Sequence, residues 1–274
     1  MASERNALKL NLCDVPLLQG KAYSSDGRER DKFNTSFVSR NAISYIKFYI
    51  LSLFITCKMI KAVIFDMDGT LVDTMEAHYH AWQKFLPTKG LNEFTKEIYL
   101  TFIGIQTKEI IQMLNKKYNL TMDPEKDRFV KEKLVDVNEI SLYTGVKEML
   151  QRLKKAGFKI GLGTSAIRKD MEDRLARYDL KQYFDAVVCC DDVALSKPHP
   201  DIFLLAAKKL KVHPKDCIVV EDALNGIIAA KKAGMDTIAL TTTFKKEKIA
   251  EVKPDLILNN VSEITPAIIE QNFE

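Results

Sequence analysis

The 274-residue chain has no cysteines at C-x-x-C spacing, no internal repeat, no low-complexity tract and no apolar run long enough to cross a bilayer. Each absence closes off a class of protein. The five cysteines, Cys13, Cys57, Cys189, Cys190 and Cys217, are odd in number and scattered. That argues against a disulfide framework or a thiolate metal site, and for free thiols in a reducing, cytoplasmic setting. Cys189 and Cys190 follow Ala186-Val187-Val188 and read as small strand residues. Net charge is also lacking over most of the chain: residues 1–58 hold nine Lys/Arg against five Asp/Glu, which leaves 32 of each sign in 59–274. A neutral body offers nucleic acid no electrostatic footprint. Ala42 to Cys57 is apolar, but Lys47 interrupts it and it falls short of the roughly 20 residues that a membrane span requires. No membrane partner is expected, and the five acidic residues of 1–58 argue against an organellar presequence.

What is present is ordinary core material, 46% apolar residues, organised in a recognisable order. Residues 1–58 show no sustained periodicity up to Ala42 and read as a poorly ordered, dispensable extension; Met59 stands just before the first core strand. That strand is Ala62-Val63-Ile64-Phe65, a continuous apolar run ending abruptly in Asp and Gly, as a strand buried on both faces does. From residue 75 to about 140 the apolar residues recur at helical spacing, for example Trp82, Phe85 and Leu86, or Ile110, Ile111 and Leu114. Gly145 then opens a helix over Met149, Leu150 and Leu153. Further strands are expected at 158–163, 186–190, 217–220, 237–240 and 256–258, with helices at 168–178, 200–210, 224–233 and 246–251. Alternation of this kind predicts an α/β fold, a doubly wound parallel sheet with right-handed crossovers. Residues 59–74 and 141–274 form its core, and 75–140 an α-helical insertion.

Asp66-Met67-Asp68-Gly69-Thr70 sits at the carboxyl end of the first strand, the edge where open parallel sheets bind ligands. Alone, Asp-x-Asp-Gly is equally a turn. Other strand ends carry reactive groups as well: Thr164 and Ser165, Lys197 in Ser196-Lys197-Pro198, and Glu221-Asp222. Alone, Ser-Lys-Pro reads as a surface turn and Glu221-Asp222 as a helix N-cap. A parallel sheet brings all these ends to one edge, where the set makes chemical sense. A carboxylate can attack phosphorus, a cation held by other carboxylates offsets the repulsion, and Lys197 and hydroxyls can hold phosphoryl oxygens.

These residues resemble the haloacid dehalogenase superfamily, specifically its phosphotransferring members. Asp66 to Thr74 looks like the first motif, Thr164 the second, Lys197 the third and Glu221-Asp222 the fourth, in order over roughly 59–258. The insertion resembles that of the subfamily with an α-helical cap. His78-x-x-x-Trp82, Lys197 to Phe203 and Glu221 to Gly226 look most similar to β-phosphoglucomutase-like proteins. The resemblance implies that Asp66 is a nucleophile that becomes phosphorylated and Asp68 the general acid/base. It implies Mg²⁺ held by Asp66, Asp68 through its carbonyl, Asp222 and Glu221, with Thr164, Ser165 and Lys197 around the phosphoryl group. The expected partner is a small phosphorylated metabolite; the sequence leaves the oligomeric state open, with a monomer favoured.

The cap decides whether water or a sugar hydroxyl receives the phosphoryl group. In β-phosphoglucomutases a cap Arg after Gly-Val-Ser grips a second phosphate, whereas Gly104-Ile105-Gln106 here precedes Thr107-Lys108. Lys108 lacks the bidentate fork of an Arg. The mutases also carry a Ser where this chain has Ala166. These departures favour a phosphatase over a mutase. A non-catalytic receiver-like module is the third reading, opposed by the insertion of some 65 residues and by Asp68. His78 is either a packing residue of an amphipathic helix or, as the resemblance implies, a sensor of cap closure. His80, His199 and His213 read as surface residues, and Trp82 as cap core.

Overall fold

The computed structural model describes residues 59–273; the extension 1–58, with Cys13 and Cys57, lies outside the described residues. The strands β1 (Ala62–Phe65), β4 (Lys159–Gly163), β5 (Ala186–Val188), β6 (Cys217–Glu221), β7 (Asp236–Leu240) and β8 (Leu256–Leu258) form one sheet in the order β5-β4-β1-β6-β7-β8. Every pairing is parallel, with β1 between β4 (Phe65 opposite Leu162) and β6 (Phe65 opposite Val220).

The side-chain period of two along β1 explains why the sheet is covered on both faces. Val63 and Phe65 enter one apolar cluster with Ile160, Leu162, Ile218 and Val220; Ala62 and Ile64 enter the other with Val219 and Phe203. The first cluster is closed by α5 (Val146–Lys155), α6 (Arg168–Arg177) and α10 (Pro266–Phe273), and the second by α7 (Asp201–Leu210) and α8 (Leu224–Lys232). Val63, Ile64 and Phe65 are wholly buried, each contributing about 1.5–3 kcal/mol of apolar transfer free energy. The small helix α9 (Lys246–Ala250) packs Ile249 onto Ile227 and Ala239.

Between β1 and α5 the chain builds a helical layer from α1 (Met75–Phe85), α2 (Lys96–Leu100), α3 (Thr107–Tyr118) and α4 (Pro124–Glu132). It has its own core, in which Trp82 and Phe85 pack edge to face and Phe94 stacks on Phe102 at 6.4 Å between ring centroids. Two short strands absent from the sequence reading, β2 (Val72–Asp73) and β3 (Ser141–Leu142), pair antiparallel where the chain leaves the sheet for this layer and where it returns. Two residues each carry too little pattern to be read from sequence.

One expectation is corrected. The fifth strand stops at Val188; Cys189 is the N-cap and Cys190 the first residue of a 3-10 turn, Cys190–Asp192, because Asp192 accepts from Cys189 N and diverts the backbone from the ladder. Among the described residues no helix is long and apolar enough to cross a membrane.

Candidate active site

Asp66 follows β1, Thr164 follows β4 and Glu221 ends β6, so three adjacent strands deliver three functional groups to one edge. The chain runs from β1 to β4 on one side and reaches β6 on the other; this change of direction opens the crevice. The helical layer roofs it, leaving a cavity of about 110 Å³ lined by Asp66, Asp68, Thr164 and Ser165 from the core and by His78 and Lys131 from the roof, among others.

Lys197 reaches the site from the loop after β5. Its Nζ donates to Asp66 Oδ1 at 2.5 Å and to Glu221 Oε1 at 2.7 Å, with side chains almost wholly buried. Burial alone would lower the Lys197 pKa, but Asp66 and Glu221 outweigh it and raise it. The other oxygen of Glu221 accepts from Ala223 N at 2.7 Å. Glu221 is therefore fully engaged in holding Lys197 and opening α8. Gly226 is required beside it, because a Cβ there would stand 1.7 Å from Glu221 Oε1.

Asp222 accepts from Thr70 Oγ1 at 2.8 Å and from Thr243 Oγ1. Its pKa is pushed up to about 7 by burial and then by Glu221, against the hydroxyl hydrogen bonds. Gly69 lies against it at φ +83°, where a Cβ would come within 2.1 Å of Asp222 Oδ2. Sequence reasoning missed Thr70 and Thr243 as partners; Thr243 lies beyond β7, outside every motif.

Asp68 is oriented from an unexpected direction. Arg174 Nη1, on α6, donates to Asp68 Oδ2 at 3.0 Å and stands equally 3.0 Å from Asp68 Oδ1, so one guanidinium nitrogen bridges both carboxylate oxygens. Arg174 Nη2 stands 3.1 Å from His78 Nε2, and Lys131 Nζ stands 2.6 Å from His78 Nδ1. Lys131 Nζ and Thr107 Oγ1 both donate to Glu132 Oε1, at 3.1 and 2.9 Å. His78 is thus neither a surface residue nor simple packing: it links the roof to α6. Nothing local marks Arg174 or Lys131, which sit among other charged residues of their helices.

Burial, then Lys131 and Arg174, hold the His78 pKa down at about 3. The imidazole is neutral in the fold, whereas the unfolded chain takes up a proton near pH 6.5. Its contribution to stability is therefore lost as pH falls from about 6.5 toward 3. We expect the melting temperature of the wild type to drop more steeply between pH 7 and pH 5 than that of His78→Gln. Parallel curves would remove His78 as the cause.

The remaining sequence candidates are placed as follows. Thr164 is buried and its Oγ1 accepts from Ala166 N at 3.1 Å. Ser165 Oγ donates to Gly104 O at 3.0 Å and Asn225 Nδ2 to Ile103 O at 3.1 Å, so both tie the roof to the core. Lys108 lines the cavity and stands 3.9 Å from Glu125. His80, read as a surface residue, has an exposed side chain that pairs with Glu139 at 2.8 Å, and His213 caps a 3-10 turn by accepting from Lys215 N.

The carboxylates can be weighed as metal donors. Among the described residues no three His, Cys, Asp or Glu side chains already stand as a cage. The donor chemistry nevertheless fits a hard divalent cation: Asp66, Glu221 and Asp222 are three buried carboxylates, of which Asp66 and Glu221 share the Lys197 ammonium while Asp222 has only hydroxyl partners. Burial, with repulsion from Glu221, Asp222 and Asp68, raises the Asp66 carboxyl against the pull of Lys197.

A doubly wound sheet with a helical roof over paired acids and a buried lysine is the architecture of an enzyme whose chemistry centres on carboxylates. The model of the haloacid dehalogenase-like hydrolases matches residues 63–240, and the chain belongs to that family. It is 33% identical over 215 residues to a phosphorylated carbohydrates phosphatase of Thermotoga maritima, covering 74% of this chain and 99% of that one. It is 31% identical over 222 residues to pyrophosphatase PpaX of Bacillus thuringiensis, covering 78% and 98%. Among solved structures it is similar to a β-phosphoglucomutase from Clostridium difficile, with TM-score 0.69 and 27% identity over 78% and 97% of the two chains. CbbY from Rhodobacter sphaeroides in complex with phosphate gives TM-score 0.66 and 29% identity over 75% and 96%.

Proposed function

We propose that the protein is a Mg²⁺-dependent phosphatase of small phosphorylated metabolites, sugar phosphates or similar compounds, working through an aspartyl-phosphate on Asp66. The observation that carries the reading is Asp66 at a roofed cavity, paired with a buried Lys197 that Glu221 holds in place. An Asp66 oxygen would attack phosphorus, forming the acyl-phosphate bond while the bond to the leaving oxygen breaks. Asp68 would hand that oxygen a proton, then take one from the water that attacks phosphorus and releases phosphate. Lys197 and Thr164 would hold the non-bridging oxygens, and the roof limits the water that reaches them. Asp66, the Asp68 carbonyl and Asp222 would hold Mg²⁺; Glu221, with both oxygens engaged, would act through Lys197. When bound, the ion offsets the repulsion between a carboxylate and a phosphate dianion.

The phosphatase and pyrophosphatase named above support hydrolysis, while the phosphoglucomutase structure supports a mutase as the second reading. A phosphate-release screen over sugar and nucleotide monophosphates, run beside a coupled assay converting β-glucose 1-phosphate to glucose 6-phosphate, separates the two. Mg²⁺-dependent phosphate release is expected. Rapid isomerisation with negligible release would replace the phosphatase by the mutase.

A further inference from the structure

Among the described residues Arg174 alone hydrogen-bonds the Asp68 carboxylate, with Nη1 standing 3.0 Å from both oxygens. Arg174 lies outside the sequence motifs and comes from the core rather than the roof. It sits in the second turn of α6, the helix that follows Thr164 and Ser165, and its neighbours Met171 and Leu175 are anchored in the first apolar cluster. The guanidinium is therefore carried by a well-packed element, and it is itself buried. A buried cation needs acceptors. Nη1 has Asp68, and Nη2 stands 3.1 Å from His78 Nε2. Asp170, one turn earlier on the same helix, lines the same cavity, yet the hydrogen bond goes to Asp68.

A nitrogen that bridges both oxygens restrains the direction of the carboxyl. Proton transfer depends on that direction, because the two heavy atoms must come within about 2.6–3.2 Å of each other. Charge matters as well. When Asp68 gives its proton to the leaving oxygen, the electron pair stays on the carboxylate, and a fixed guanidinium beside it balances the charge that develops there. We infer that Arg174 is a positioning residue for the proton transfers of Asp68: it directs the carboxyl within the cavity and balances the charge left on it when the leaving oxygen is protonated. The inference rests on the phosphatase reading and adds a residue to it. Its consequence is selective. A leaving oxygen that departs as a stable anion takes little from a general acid, whereas a basic one must be protonated as its bond to phosphorus breaks. Loss of Arg174 therefore costs most with basic leaving groups. A guanidinium that only held α6 against α1 would cost the same with all of them.

The test measures kcat/KM of the full chain, with Mg²⁺, on p-nitrophenyl phosphate and phenyl phosphate, two esters of similar shape of which the second has the more basic leaving oxygen. This constant covers the steps up to departure of the leaving group and excludes the hydrolysis of the aspartyl-phosphate, which both esters share. In Arg174→Gln the loss on phenyl phosphate is expected to exceed the loss on p-nitrophenyl phosphate by at least about tenfold, within the 10²–10⁴-fold that a general acid supplies. Arg174→Lys keeps the charge without the planar guanidinium and should show the same bias, reduced. The comparison then stands on either variant if a thermal melt shows that the other does not fold. Arg177→Gln removes an exposed guanidinium of the same helix that lies over the Tyr178 ring, and should leave the ratio of the two rates at its wild-type value. Equal losses on the two esters in the folded Arg174 variants, or a bias of the same size in Arg177→Gln, overturn the positioning role. Phosphate release from neither ester by the wild type, or release that survives Asp66→Asn, overturns the phosphatase reading and the role with it.

Discussion

Asp66→Asn is expected to lower Mg²⁺-dependent phosphate release by at least about a thousand-fold, the scale on which removing a covalent nucleophile acts. The amide keeps the shape of the carboxyl and its place against Lys197, but it cannot form the acyl-phosphate. The fold should survive, because the substitution removes a negative charge from a buried cluster that holds more acids than bases. Steady-state phosphate release and a thermal melt on the same preparation check both halves. Turnover close to wild type would remove Asp66 as nucleophile; a collapsed melt would mean that the charge balance has been misjudged.

Lys197→Met should act on stability as much as on rate. The ammonium is the shared partner of Asp66 and Glu221, and its side chain is 1% exposed. Removing one partner of a buried ionic cluster leaves uncompensated carboxylates, at a cost of about 3–5 kcal/mol. For a domain of this size that corresponds to a fall in melting temperature of roughly 6–20 °C, measured without added metal. Phosphate release should fall at least about a hundred-fold, because a positive charge beside the phosphoryl oxygens is lost. Methionine roughly preserves the stem over the Phe203 ring, so packing is not the main loss. A variant as stable as the wild type would show that Lys197 is not what neutralises the acids.

Much of the fold was legible because its signals are local. The run Ala62–Phe65 is apolar without interruption and ends in Asp, and a strand covered on both faces requires that pattern. Helix boundaries at Gly145 and near Leu210 followed from residues within one turn of the ends. The pair β2 and β3 was not legible: a two-residue strand has no period, and its pairing of Val72 with Leu142 spans the whole helical layer. Cys189 and Cys190 misled because an apolar run continues through them, while a side chain two and three positions on, Asp192, turns the backbone away.

The candidate site divides in the same way. By itself the sequence determined which acids, hydroxyls and lysine stand at the ends of which strands, because strand order along the chain and the parallel sense of the sheet together decide which ends share an edge. Only the tertiary structure decided how these groups divide their duties: that Glu221 spends its oxygens on Lys197 and Ala223, that Thr243 serves Asp222, and that Arg174, 106 positions from Asp68, holds that acid. The same holds for His78 between Lys131 and Arg174. The physical reason is that such contacts depend on how one helix of the roof and one helix of the core meet over the sheet edge. That angle is set by the packing of many apolar side chains at once, and no short stretch of the chain records it.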